Sequence, residues 1–195
     1  MTFVLASNNS GKLREFAPLF ESMGLEVVAQ RDFAVPDAEE TGLSFIENAI
    51  LKARHAALAT GRPAIADDSG LVVPALGGAP GIYSARYSGG GDTENNAKLL
   101  SEMSHLTGED RGAFYVAVIA VVMSASDPLP IIAEGRWCGN ISVKLSGSGG
   151  FGYDPLFIPE SSNYTAAELS LAEKQALSHR AKALKALAPK LSNCQ

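Results

Sequence analysis

The stretch Ala64-Ile65-Ala66-Asp67-Asp68-Ser69-Gly70-Leu71-Val72-Val73 limits the possible folds of this chain more than any other. A short apolar run ends in two adjacent carboxylates, a hydroxyl and a glycine follow, and a second apolar run begins. In an α/β protein the end of a buried strand faces the ligand crevice. Carboxylates there need compensation, and a divalent cation with hard oxygen ligands, such as Mg²⁺, is the usual one. Asp-Ser-Gly is also good turn chemistry. The segment alone therefore leaves a metal site and an Asx-capped turn both open. If both carboxylates are in extended backbone they point to opposite faces, so that one supports the site while the other acts in it.

The length of 195 residues suggests one domain, or one domain with two lobes, spanning residues 1–195. A net charge of −5 argues against a nucleic-acid surface, which is basic, but leaves room for a small anionic ligand in a local pocket. Cys138 and Cys194 lack metal-ligand or redox spacing, so reduced thiols in a cytoplasmic protein are expected. The apolar run Thr2–Ala6 is too short for a signal-peptide core, and no later run is long enough to span a bilayer.

Thr2–Ala6 reads as a buried strand. Ser7-Asn8-Asn9-Ser10-Gly11-Lys12 follows, and Leu13–Met23 then has helical spacing. A strand, a polar loop and a helix N-terminus in this order attract phosphate through backbone N–H groups and the helix dipole, and Lys12 adds positive charge. An ordinary capped turn is the alternative. The loop is not a Walker A motif, because Ala6 and Leu13 stand where a glycine and a metal-binding hydroxyl belong. Glu26–Gln30 is a second strand, and Asp37, Glu39 and Glu40 lie in the aperiodic segment after it. Ser44 and Glu47 form a capping box for a helix that runs to Thr60 and stops at Gly61, with Asn48, Lys52 and His55 sharing one face.

Residues 77–84 form a rigid turning loop, Asn95–Met103 a short helix and Ala113–Met123 a strand. Ile131–Trp137 pairs with that strand, and a separate strand is expected after Gly139. In Gly149-Gly150-Phe151-Gly152-Tyr153-Asp154 the backbone can approach a flat ligand on which Phe151 or Tyr153 stacks; a glycine-rich hairpin end is the alternative. Thr165 and Glu168 repeat the capping-box pattern, and Leu177, Ala181, Leu184, Ala188 and Leu191 form an apolar stripe. Lys174, His179 and Arg180 reach one ligand only if the helix breaks between them, with Ser178 capping a new one.

These segments in this order resemble the inosine/xanthosine triphosphate pyrophosphatase family over nearly the whole chain. The resemblance rests on the Ser7–Lys12 loop, Glu39-Glu40-Thr41-Gly42, Phe45-Ile46-Glu47-Asn48-Ala49, Ala66–Leu71, Gly77-Gly78-Ala79-Pro80-Gly81, Gly150–Pro155 and Ser178-His179-Arg180. It implies an α/β fold with a long mixed sheet flanked by helices, and two lobes with the site in the cleft between them. It also implies a homodimeric, Mg²⁺-dependent enzyme that cleaves ITP, dITP and XTP to the nucleoside monophosphate and pyrophosphate. Carried over residue by residue, Ser7, Asn8, Asn9, Ser10, Gly11 and Lys12 hold the triphosphate. Glu40, or Glu39 in its place, and Asp68 hold the metal, and Asp68 is the general base. Ser69 touches the substrate. Phe151, Gly152, Tyr153, Asp154, Lys174, His179 and Arg180 form the nucleoside pocket.

Two rivals remain: a Maf-type pyrophosphatase acting on other modified nucleotides, and a non-catalytic nucleotide sensor. Phe151–Asp154 and Ser178–Arg180 argue against the first. Glu40, Asp67 and Asp68 together argue against the second. Hypoxanthine and xanthine carry a 6-oxo acceptor where adenine carries an amino donor, and Arg180 offers donors only. An unmatched buried polar group costs ~1–3 kcal/mol, roughly one to two orders of magnitude in selectivity. Arg180→Ala is thus expected to narrow the ratio of ITP to ATP turnover in a pyrophosphate-release assay. An unchanged ratio would move base reading to other groups.

Overall fold

The segment around the two carboxylates is one strand, β3 (Ala64–Val72), buried without interruption from Ala64 through Asp68. The structure is a computed structural model that describes residues 2–192, without the side chains of Ser10, Glu15, Leu19 and Ser192; Cys194 lies outside it. The other strands are β1 (Thr2–Leu5), β2 (Glu26–Ala29), β4 (Gly112–Val122), β5 (Ile131–Ile141) and β6 (Phe157–Pro159). They form one sheet in the order β2-β1-β3-β4-β5-β6. β1 is parallel to β2 and β3, whereas β5 and β6 are antiparallel. The helices are α1 (Ser10–Ser22), α2 (Phe45–Thr60), α3 (Asp92–Glu102), α4 (Leu171–Leu177) and α5 (His179–Ser192). The α/β class and the mixed sheet are as expected from the sequence.

The chain groups into two compact units. The first holds the residues up to Asp68, Ala117–Gly135 and the residues from Arg180 onward; the second holds Ser69–Val116 and Arg136–His179. In the first, Phe16 and Phe20 of α1 stack with ring centroids 5.4 Å apart, and they pack with Leu5, Ile65, Ile119 and Leu187. Ala49, Ala53 and Ala56 are fully buried on α2, where small side chains permit close packing against β1. In the second, Tyr115, Trp137 and Phe157 pack edge-to-face and tilted, with Leu71, Leu99 and Met103 around them. Trp137 is 3% exposed, so it is a core residue.

Local chemistry sets the helix ends. The Ser44 side chain accepts from the Glu47 N–H at the start of α2, and Gly61 closes the helix at φ 63°. α4 ends at Ser178, which is extended (φ −66°, ψ 161°), and α5 starts at the next residue. This is the break expected between Lys174 and His179. It also rotates the buried face, so that Ala183, Leu184, Leu187 and Leu191 are buried while Leu177 is 37% exposed.

Two expectations fail, and one strand carries no signal in the sequence. Glu168 does accept from the Thr165 N–H (2.8 Å), but the pair closes a turn rather than starting a helix, and Thr165 Oγ1 also reaches the Ser146 carbonyl. The helix begins later, with Ser170 and Glu173 as its capping box. β5 does not split at Gly139. Gly139 pairs with Pro159, and a Cβ there would run into the Ile158 carbonyl oxygen and come within 2.7 Å of the Phe157 ring. The glycine is needed for strand approach and does not mark a break. β6 itself, three residues without a clear alternation, was not foreseen from the sequence.

Gly139→Ala is expected to destabilise the protein by about 1–3 kcal/mol through overpacking, read as a lower urea midpoint. An unchanged midpoint would mean that β6 can move away at no cost.

Candidate active site

The turn after β1 is built by its own side chains. Ser7 is buried, and its Oγ accepts from the Asn9 N–H at 3.2 Å. Asn9 caps α1, its Oδ1 accepting from the N–H groups of Gly11 (2.9 Å) and Lys12 (3.1 Å). An anion at this turn therefore meets a helix end with two donors already satisfied, which raises the importance of the Lys12 charge. Asn8 donates from Nδ2 to Asp37 Oδ1 (2.9 Å), and buried Gln30 donates to the same oxygen (2.8 Å). His55 donates from Nε2 to the Pro36 carbonyl, so α2 and the turn both anchor this loop.

Asp67 and Asp68 have separate cations, as opposite strand faces require. Asp67 is 2% exposed; its Oδ2 lies 2.8 Å from Lys12 Nζ and 3.6 Å from Arg180 Nε. Burial alone would raise the Asp67 carboxyl, but Lys12 and Arg180 outweigh it and hold the group well below the usual carboxylate range. Asp68 meets Lys52, whose Nζ is 2.7 Å from Asp68 Oδ1 and 2.9 Å from Glu40 Oε1. Burial raises the Asp68 carboxyl despite Lys52. The Lys52 ammonium is held above its ordinary value, since Asp68 and Glu40 more than offset its own desolvation.

These contacts show which residues could hold a metal. Glu40 and Asp68 converge on one ammonium, so both lie within reach of a common cation, whereas Glu39 is exposed. Asp68 Oδ2 is buried and has no hydrogen-bond partner among the described residues. No group of three or more His, Cys, Asp and Glu side chains suited to a metal forms among those residues. Two carboxylates with the rest of the shell supplied by water and phosphate are the usual arrangement for Mg²⁺.

The second unit carries another cluster. Asp154 is buried, and its Oδ2 accepts from Lys174 Nζ (2.7 Å) and from the Phe151 N–H (2.9 Å). Gly150 lies at φ 74°, and a Cβ there would collide with Asp154 Oδ2, so only glycine permits this turn. Tyr153 is 3% exposed and donates to the Ser84 carbonyl, which leaves half-buried Phe151 as the ring able to stack on a ligand. The Lys174 ammonium lies 5.7 Å from the Phe151 ring centroid. His179 stacks on Tyr115 at 4.8 Å and 10°.

The expected residues thus fall into two groups. Lys12, Glu40, Asp68 and Arg180 belong to the first unit with the Ser7–Lys12 turn; Ser69, Phe151–Asp154, Lys174 and His179 belong to the second. Arg180 lies against Asp67 and over the Phe16 ring, apart in the chain grouping from His179. The role of Lys52 was missed. The sequence shows it only as sharing a helix face with Asn48 and His55, and its partners Glu40 and Asp68 lie 12 and 16 residues away in the chain. Asn48 Oδ1 accepts from the Gly42 N–H at 2.8 Å. Asp37 was seen only as part of an acidic loop, because its hydrogen-bond partners are distant in sequence.

A model of the Ham1 family matches residues 3–190. A dITP/XTP pyrophosphatase of Shigella flexneri is 55% identical over 97% of this chain and 98% of its own length. One of Haemophilus influenzae is 53% identical over 96% of this chain and 97% of its own length. Among solved structures, a HAM1 protein from Coxiella burnetii superposes with a TM-score of 0.91 at 46% identity, covering 99% of each chain. A nucleoside-triphosphatase/dITP/XTP pyrophosphatase from Mycobacterium abscessus superposes with a TM-score of 0.77 at 45% identity, covering 98% of this chain and all of its own.

Asp67→Asn removes the counter-charge of Lys12 and Arg180 and is expected to cost about 3–5 kcal/mol at neutral pH. A depressed folded-state carboxyl stabilises above the unfolded value and loses that contribution as pH falls. The gap between wild type and Asp67→Asn is therefore expected to shrink below about pH 4 in thermal melts taken across pH. A gap independent of pH would contradict the pairing.

Proposed function

The chain belongs to the Ham1 family, and on that premise we infer that it hydrolyses ITP, dITP and XTP to the nucleoside monophosphate and pyrophosphate, removing them from the nucleotide pool. The single observation that carries the reaction type is the Lys52-bridged pair of Glu40 and Asp68 beside the Lys12–Asp67 pair. Two carboxylates with adjacent cations suit attack on a phosphoric anhydride, where negative charge grows on the leaving group.

Water attacks the α-phosphorus, and the bond to the β-phosphate bridging oxygen breaks. Asp68 takes the proton from that water through its unpartnered Oδ2. Lys52 keeps Asp68 oriented from the opposite oxygen, at 2.7 Å. Lys12 and the Ser7–Gly11 turn bind the polyphosphate, and Lys12 balances charge on the departing pyrophosphate. Glu40 and Asp68 would hold Mg²⁺, which supplies Lewis-acid neutralisation of the phosphate oxygens when bound.

The second cluster serves the nucleoside. Ser69, Phe151, Gly152, Tyr153, Asp154, Lys174 and His179 are the residues we assign to it, and we assign Arg180 of the first unit to the nucleoside as well. Phe151 offers a stacking face, and Lys174 and Arg180 offer donors to a 6-oxo group. Tyr153 contributes through the turn it anchors. The same reading includes a homodimer in the cytoplasm. Among the described residues no helix is long and apolar enough to cross a membrane.

Release of pyrophosphate and monophosphate from ITP, XTP, GTP and ATP, with Mg²⁺ and with EDTA, tests the reading. Mg²⁺-dependent turnover of ITP and XTP is expected, with GTP and ATP nearly inert. Asp68→Asn is expected to lose at least about 100-fold in kcat while melting as a folded protein. ITP binding without turnover would support a sensor instead, and turnover confined to other modified nucleotides would support a Maf-type enzyme.

A further inference from the structure

The Gly150–Asp154 turn is held from outside by helix α3. Gly152 sits in the left-handed region at φ 64°, and nothing lies within 4 Å of where its Cβ would be. No side chain lies against that position, and its two backbone polar groups are both engaged. Its N–H donates to Asp92 Oδ2 at 2.6 Å, and its carbonyl accepts from Asn96 Nδ2 at 2.8 Å. Asn96 Nδ2 also donates to the Asp92 carbonyl at 2.7 Å, which ties the two residues to each other one helical turn apart. Asn96 is 4% exposed, and its Oδ1 is buried without a hydrogen-bond partner among the described residues. Burying an amide in this way is costly; the two bonds from its Nδ2 are what the arrangement gains.

The helix end that carries this pair is itself fixed. Asn95, 1% exposed, accepts from the Ser88 N–H and donates to the Ala85 carbonyl at 3.2 Å. Ser84 accepts the Tyr153 hydroxyl through its carbonyl, and its Oγ accepts the Leu71 N–H at 2.9 Å. Gly152 and Tyr153 thus depend on one network in the second unit. Phe151 and Asp154, which flank the turn, present the stacking ring and the Lys174 partner.

We propose that Asp92 and Asn96 latch the Gly152 peptide and so set the base selectivity of the Phe151–Asp154 turn. They are positioning residues that touch no substrate atom. The proposal rests on the nucleoside role assigned to that turn. Releasing the latch lets Gly152 leave its left-handed conformation, so Phe151 and Asp154 lose their fixed spacing. Binding and discrimination then suffer, whereas the Asp68 chemistry in the first unit does not.

Two readouts test this. Amide hydrogen–deuterium exchange over residues 150–155, without nucleotide, is expected to rise about tenfold in Asp92→Ala and in Asn96→Leu. In the same variants KM for ITP is expected to rise about fivefold or more, and the ITP-to-ATP ratio to fall, with kcat within about twofold. Asp92→Asn keeps an acceptor oxygen and is expected to restore both readouts. Asp92 is exposed, so its variants address the latch even if Asn96→Leu fails to fold. Unchanged exchange overturns the latch. Faster exchange with unchanged KM and selectivity overturns the specificity role, as does a fall in kcat alone. If the wild type does not turn over ITP, the hydrolase reading fails, while the exchange data still decide the latch.

Discussion

Burying two adjacent carboxylates in one strand is the constraint on which much of this structure depends. An isolated buried carboxylate is not tolerated, and strand alternation prevents one cation from serving both neighbours equally. Asp67 and Asp68 therefore each require their own partners. Asp67 draws on Lys12 from α1 and Arg180 from α5, and Asp68 draws on Lys52 from α2. Three helices are thereby fixed in register to one point on β3, over and above their apolar packing. Such pairs add little net stability against an apolar core. What they add is placement: three cations gathered around two carboxylates, with one Asp68 oxygen left without a hydrogen-bond partner among the described residues.

The local signals in the sequence were sufficient for most elements. The capping box at Ser44, the glycine stop at Gly61 and the valine-rich run of β4 each act within a few residues, and each element was legible. The break at Ser178 was legible for a different reason: on a continuous helix His179 and Arg180 would project away from Lys174, and Ser178 is indeed extended between α4 and α5. Interactions between distant residues were not legible. Gly139 is required by β6, which is distant in sequence, so its neighbours suggested a break instead. The Thr165–Glu168 hydrogen bonds form as expected, but Thr165 is also engaged with Ser146, and a turn results. Alternation indicates that Asp67 and Asp68 face opposite sides, but their separate lysine partners, Lys12 and Lys52, depend on where α1 and α2 pack.

The same distinction applies within the site. Composition cannot tell a solvated acidic loop from one in which Asp37 holds Asn8 and Gln30 while Glu40 meets Lys52. A glycine-rich run likewise does not reveal that Gly150 makes room for Asp154 Oδ2 while Gly152 is held through its backbone. The first glycine answers to sterics and the second to hydrogen bonding, so substitutions at them are different perturbations. A side chain at Gly150 displaces the Asp154–Lys174 pair directly. A side chain at Gly152 meets no neighbour but must adopt the left-handed region against its own preference.

The chain grouping also separates two demands that conflict in a nucleotide hydrolase. Phosphate chemistry needs charges held rigidly, because a small displacement of a base from its water costs rate. Base discrimination needs donors and acceptors whose mismatch with the wrong base is left unrelieved. In this chain Asp68, Lys52, Glu40 and Lys12 belong to one unit, and Phe151–Asp154, Lys174 and His179 to the other. Each set has its own core: Phe16, Phe20 and Ile65 beneath the first, Tyr115, Trp137 and Phe157 beneath the second. On the proposed reading, the turn assigned to the base is held through α3 within the second unit, and the carboxylate assigned to the water is held through α2 within the first.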